Sequence, residues 1–322
     1  MSDRVSLIVW APDGAPEVHA GDDLVAMLLP LLTEQPLADG DVVVVTSKVV
    51  SKAEGRVVTG DREGALAAET VRVVARRGPT SIVRTRHGLT MAAAGIDASN
   101  VEAGHVVLLP LDPDGSARLL RTRLREITGL DVAVVVTDSA GRAWREGQTD
   151  IAIGAAGIPV AIDHRGLVDA YGHELAVTAP AVADEIAGAA ELVQGKLGGR
   201  PFAVVRGLGA WVLPPGEDGP GAAALVRPDA GDLFGYGARE AVARALAGRP
   251  EDRVGFGAPA TTEEVVGLLA CVLGDGAWVD VPGQDLVEAD DDPCVAPLLF
   301  ACGWETDARE SGVRRRWHPT VP

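Results

Sequence analysis

The stretch that most constrains the fold runs from Asp131 to Asp150 and reads DVAVVVTDSAGRAWREGQTD. Val132, Val134, Val135 and Val136 form a short β-branched run, too brief for a helix, and predict one buried strand. The strand is expected to break at Thr137-Asp138-Ser139 and open into a polar segment carrying Arg142, Arg145 and Asp150. A carboxylate delivered at the end of a buried strand, followed by a glycine turn and two guanidiniums, can build a metal and phosphate site. Aspartate is also a common turn former, and on this stretch alone the two readings stand level.

Composition narrows what such a site could serve. The 322-residue chain carries a net charge of −17, which argues against a nucleic-acid partner because phosphate contacts need a basic surface. A small anionic substrate stays open, since a basic pocket can sit inside an acidic shell. No window reaches the length of a membrane span, and the opening residues MSDRVSLIVW do not read as a signal peptide. The three cysteines, Cys271, Cys294 and Cys302, lack metal-ligand spacing, and a reducing cytoplasm fits them best.

Only Lys48, Lys52 and Lys196 are lysines, against 26 arginines. Where arginine is the default cation, a lysine points to a place that needs a compact ammonium, such as the side of a phosphate. Two of the three fall in Thr46-Ser47-Lys48-Val49-Val50-Ser51-Lys52, directly after a second valine strand, Asp41 to Ser47. Hydroxyls and ammoniums alternating there suit a polyphosphate; the bland reading is a solvated hairpin. Neither a Walker A loop nor a GxGxxG fingerprint occurs.

The remaining pattern alternates strand and helix. Strands are expected at Val5–Trp10, Ile82–Arg86, Val106–Leu109 and Phe202–Arg206, with a strand pair in Ile151–Ile162. Helices are expected from an Asp22 cap to Leu32, over 62–76, over Ser116–Thr128 with Arg118, Arg121, Arg123 and Arg125 largely in solvent, and over Pro180–Gly195. Asp97, Ser99 and Asn100 crowd a turn with oxygen ligands, and the small residues before Gly95 predict close backbone packing. Residues 208–229 read as a looping segment, and helices follow at Ala238–Ala247 and near Thr261–Leu273. The last part holds an acidic run, a basic patch at Arg314-Arg315-Arg316, and Trp278, Trp304 and Trp317, so it is expected to pack. The class is α+β, with mixed sheets and flanking helices, and the organisation is a domain over 1–248 with a short extension over 249–322.

Together the motifs resemble the coenzyme F420-0:γ-glutamyl ligase family. The matching blocks are DGDVVVVTSKVVSKAEGR (39–56), RTRHGLTMAAAGIDASNV (84–101), VVVTDSAGRAWREGQTDIAIGAAG (134–157), AVADEIAGAAELVQGK (181–196) and VVRG (204–207). They keep the family's order over about residues 5–245. The resemblance implies a GTP-dependent ligase that needs Mg or Mn, is often aided by potassium, and forms an intertwined homodimer. It implies amide formation between L-glutamate and the carboxylate of the deazaflavin coenzyme precursor, through an acyl phosphate. It also implies GTP contacts at Ala15-Pro16-Glu17-Val18, where only the Pro-Glu core matches, and at Ser47, Lys52 and Asn100, with Lys48 beside them. Metal positions fall on Asp97, Asp138 and Ser139, the last commonly threonine in the family. Asp138, Lys52, Arg142 and Arg145 form the expected catalytic set, and Asp184 or Glu185 is a candidate to complete a metal shell. The nitroreductase-like domain fused to many bacterial members is not recognisable here. Nucleotide and metal motifs leave room for a different acid and amine, or for a homologue that binds nucleotide without turnover.

Overall fold

The computed structural model describes residues 6–99, 101–228, 231–232, 234–274, 278–281, 284–306 and 314–320. By contacts the chain divides into two units, one of Met1–Val73 with Gly78–Val226 and one of Val74–Arg77 with Arg227–Pro322.

The first unit is built on a five-stranded mixed sheet. Its strands are β1 (Ile8–Trp10), β2 (Val42–Thr46), β8 (Ala133–Gly141), β9 (Gln148–Ala156) and β10 (Phe202–Arg206), in the order β1-β10-β2-β8-β9. Only β2 and β8 run parallel; the other neighbours are antiparallel. The two parallel strands are apolar on both faces because both faces are covered. Val43, Val45, Val134 and Val136 pack with Leu24, Leu28 and Leu124, while Val42, Val44, Ala133 and Val135 pack with Ala183, Ile186 and Ala190. Covering the first face are α1 (Leu24–Leu28), α2 (Ser47–Ala53) and α4 (Pro113–Thr128), and covering the second is α5 (Val182–Gln194).

Local chemistry explains the helix ends. Asp112 caps α4 through the Gly115 amide, Pro113 takes the first turn, and Gly129 ends it at φ 73°. Where α4 crosses β9, a Cβ on Gly154 would lie 2.2 Å from the Pro113 carbonyl oxygen, so only glycine fits. The cap of α1 is Asp23 rather than Asp22, and the helix tightens to a 3-10 turn at Leu29–Leu32, where Pro30 lacks an amide to donate.

Several sequence expectations are corrected. Residues 47–53 form a helix, not an extended loop or hairpin: Val49 and Val50 bury into the core, and helical spacing sets Lys48 and Lys52 one turn apart. The helix expected over 62–76 ends early, as α3 (Arg62–Glu69), and the β-branched run after it becomes β4 (Thr70–Arg77). Ile151–Ile162 is not a strand pair; β9 returns along β8 instead. Arg121 is buried, and its guanidinium binds the carbonyls of Val132, Leu213, Pro214 and Glu217 and the Asp218 carboxylate, fastening the segment read as looping. The unit is completed by β3 (Val57–Thr59) paired with β7 (His105–Val107), and β5 (Thr80–Thr85) paired with β6 (Thr90–Ala92). The start of the strand expected from Val5 and the end of the 208–229 segment lie outside the described residues.

The second unit holds α6 (Ala238–Ala247), α7 (Thr262–Leu273) and α8 (Val295–Ala301). Its antiparallel sheet has the order β11 (Trp278–Asp280), β12 (Val287–Asp290), β14 (Arg314–Pro319), β13 (Trp304–Thr306). Trp304 and Trp317 are buried with Val265, Leu269 and Leu299, and Trp278 packs against them, as the tryptophan content predicts. The basic patch meets the acidic run across β12 and β14: Arg314 binds Asp290, Arg315 binds Asp291 and Arg316 binds Glu288.

Candidate functional site

The register of the two parallel strands creates the site. Thr46 stands opposite Thr137, so the residues that follow, Ser47 opening α2 and Asp138 on β8, come together. The Ser47 hydroxyl donates to Asp138 Oδ1 at 2.8 Å. The expected break at Thr137-Asp138-Ser139 does not occur: β8 continues to Gly141 because β9 pairs with it throughout, with a register shift between Val136 and Thr137. Such irregularities re-aim side chains beside sites. Burial pushes the Asp138 carboxyl up to about 7; the nearby charges of Asp150 and Asp97 add to this, while the Ser47 hydrogen bond and Lys196 oppose it.

Asp97 reaches the same field from another element. It bridges to Val107 of β7 and follows a 3-10 turn in which Ala93 and Ala94 hold φ of 49° and 54°. Those left-handed alanines are buried, as the small residues there predict, and they carry strain of the kind that clusters at functional sites. Asp97 Oδ2 lies 2.5 Å from Lys48 Nζ, and Oδ1 accepts from the Ser99 amide at 2.7 Å. Burial alone raises the Asp97 carboxyl, but the Lys48 and Ser99 hydrogen bonds outweigh it and hold the group below the usual carboxylate value. Lys48 also donates to Ser99 Oγ at 2.8 Å.

The second lysine of α2, Lys52, is buried and pairs with Glu17 Oε1. This ties the loop Ala15-Pro16-Glu17-Val18 to the helix: Val18 is buried in the core, Ala15 packs against it, and Pro16 and Glu17 stay exposed. Strand alternation turns Ser139 to the opposite face from Asp138, where its hydroxyl donates to Asp150 Oδ1 at 2.8 Å. Asp150 also accepts from Thr137 Oγ1, and its amide donates to Glu191 of α5.

The remaining candidates do not join the cluster. Arg142 and Arg145 lie exposed in the β8–β9 hairpin loop, where Arg142 donates to the Glu146 carbonyl. Asp184 accepts from the Ala152 amide at 2.9 Å, and Glu185 is exposed. Asn100 lies outside the described residues. Sequence reasoning missed Glu191, although it stands two turns after Asp184 on one face of α5, and it gave Asp150 no role beside the two serine and threonine hydroxyls.

Among the described residues no group of three or more His, Cys, Asp and Glu could by itself hold a metal. The donors that do gather, Asp97 and Asp138 with the Ser47 hydroxyl beside them, are all oxygen. They fit a hard divalent cation that keeps several waters, and mutual repulsion among Asp138, Asp97 and Asp150 is what a cation relieves.

Fold and cluster define a mixed α/β ligand-binding protein, with carboxylates and ammoniums gathered beyond the carboxyl ends of parallel strands, where such sheets take their ligands. A sequence profile described as F420-0:Gamma-glutamyl ligase matches residues 14–207. The chain belongs to that family, and it is a ligase. It is 43% identical over 213 residues to the coenzyme F420:L-glutamate ligase of Methanopyrus kandleri, covering 60% of this chain and 83% of that one. To the coenzyme F420:L-glutamate ligase of Methanothermobacter thermautotrophicus it is 39% identical over 246 residues, 69% of this chain and 96% of that one. The Archaeoglobus fulgidus enzyme of the same name is 42% identical over 220 residues, 62% of this chain and 87% of that one. No described helix is long and apolar enough to cross a membrane.

Proposed function

We propose that this coenzyme F420:L-glutamate ligase drives amide formation with GTP and a divalent metal, Mg or Mn, through residues 1–248. An amide does not form from a carboxylate and an amine in water without activation. GTP supplies it by transferring its γ-phosphoryl group to a carboxylate oxygen of the deazaflavin precursor, leaving GDP. The amine nitrogen of L-glutamate then attacks the acyl carbon, the carbon–oxygen bond to phosphate breaks, and phosphate leaves with that electron pair while the amine gives up its proton. A bound divalent cation would be held by Asp97 and Asp138 and would offset charge on the transferring phosphoryl group.

The chain's own residues supply the rest. Lys48 and Lys52 are poised to exchange Asp97 and Glu17 for phosphate oxygens, a point-charge role that suits ammonium better than guanidinium. Ser47 holds one oxygen of Asp138 and so fixes the carboxylate's orientation. The loop 15–18 is fastened to α2 through Glu17, and that tie is released when Lys52 takes a phosphate oxygen. Arg142 and Arg145 offer guanidiniums to the acceptor's anionic groups from the hairpin loop. Potassium as an aid to phosphate binding, and a homodimer, complete the reading.

The observation that carries it is the meeting of Asp138 with Ser47 and of Asp97 with Lys48 in one electrostatic field. Asp138→Ala tests it: metal-dependent GDP release in the presence of acceptor and glutamate should vanish, and unchanged turnover would remove the metal assignment.

A further inference from the structure

One lysine remains outside both ion pairs. Lys196 follows the end of α5, one residue past Gly195. Along α5, Asp184 accepts from the amide of Ala152 and, two turns later, Glu191 accepts from that of Asp150. The helix therefore runs against the direction of β9, and its C-terminal end arrives level with Asp150 and its cross-strand partner Ser139. There Lys196 Nζ comes to 3.4 Å from Ser139 Oγ, whose own proton goes to Asp150.

A second observation marks the same helix end. The buried stripe Ala183, Ala187, Ala190 continues at helical spacing to Gln194, which is 4% exposed. Neither amide atom of Gln194 has a hydrogen-bond partner among the described residues. A buried primary amide offers two donors and an acceptor oxygen, and leaving them unpaired costs stability, so the position spends stability on something the free chain does not satisfy.

Charge decides what such a place takes. The two lysines of α2 belong to the other face of the sheet. On the α5 side Lys196 reaches Ser139, the partner of Asp150, and Gln194 and Glu191 belong to the same helix end. A triphosphate is repelled by that carboxylate pair. An amino acid, with an ammonium and carboxylates of its own, matches a mixed set. We propose that the C-terminal end of α5, with Ser139, is the positioning site for L-glutamate, in which Lys196 and Gln194 receive a carboxylate of the amino acid. The inference rests on the ligase reading above.

The test is steady-state kinetics of the full chain with each substrate varied in turn. Losing a charge-assisted hydrogen bond in Lys196→Ala should raise KM for glutamate about tenfold to a hundredfold, with KM for GTP and for the acceptor unchanged. Lys196→Arg should recover part of the loss. Gln194→Leu should raise KM for glutamate while leaving the melting temperature equal or higher, because an unpaired buried amide is removed. An unchanged glutamate KM in Lys196→Ala, or a shift that falls on GTP instead, overturns the assignment. If the wild type forms no amide product the ligase reading fails, and calorimetric titration with L-glutamate still decides the site: heat lost in Lys196→Ala supports it, and equal heats refute it.

Discussion

The two units spend their charges in opposite ways. In the second, Arg314, Arg315 and Arg316 each bind an acidic partner, with much of each pair in solvent. Register sets Arg314 opposite Asp290 and Arg316 opposite Glu288, while Arg315 reaches Asp291 just past β12. Such exposed pairs contribute roughly 0–1 kcal/mol each. In the first, Lys52 is buried against Glu17, Lys48 against a half-buried Asp97, and Asp138 carries a carboxyl raised to about 7. Among the described residues Asp138 forms no ion pair, and only the more distant charge of Lys196 opposes the rise of its carboxyl. A satisfied ladder is scaffold; a carboxylate kept short of countercharge is a place prepared for a ligand.

Breaking the two regions should therefore give unequal results. The largest effect belongs to Asp138→Ala, expected to cut turnover by about a thousandfold or more while the protein stays folded, read by GDP release and circular dichroism. Next, Lys52→Met should lower kcat/KM for GTP about a hundredfold, since the methionine keeps the packing and removes the point charge. Stability should respond in the reverse sense at the site. A carboxyl whose folded value is raised favours the fold below its unfolded value near 3.8, and that contribution is lost as pH rises through about 7. Asp138→Asn in the metal-free protein should then melt about 2–4 °C higher than wild type at pH 8, and no higher at pH 4. Smallest of all, Arg315→Ala should change stability by less than about 1 kcal/mol and leave turnover untouched. A loss of activity in Arg315→Ala as large as that in Asp138→Ala would erase the contrast.

How much of this was legible in the sequence depends on what each element rests on. The valine strands β2, β8 and β10 and the helix α6 follow from apolar runs and spacing, which local residues settle. The helix α2 was not legible, because its serines and lysines read as a polar loop until Val49 and Val50 are seen to bury. The persistence of β8 through Thr137-Asp138-Ser139 comes from β9, thirteen residues later at Asp150, and no local signal carries it. Arg121 looked like a solvent arginine of α4 because most of its carbonyl partners come from the distant 213–218 segment. Asp97, Asp138, Ser47 and Lys48 all stand in the sequence motifs, but the pairing of Ser47 with Asp138 needs the parallel register, and that of Lys48 with Asp97 needs the bridge of Asp97 to Val107. Lys196 stood out by scarcity alone, and its place against Ser139 needed the direction of α5.

As the proposed metal ligand, Asp138 must lose its proton before a cation binds. Titrating Mn2+ into the protein with GTP bound, from pH 5.5 to 8.5, measures this directly. Affinity should rise about tenfold per pH unit up to about 7 and then level, with Asp138→Asn weak and flat across the range. Equal Mn2+ affinity in wild type and Asp138→Asn at pH 8 would contradict it.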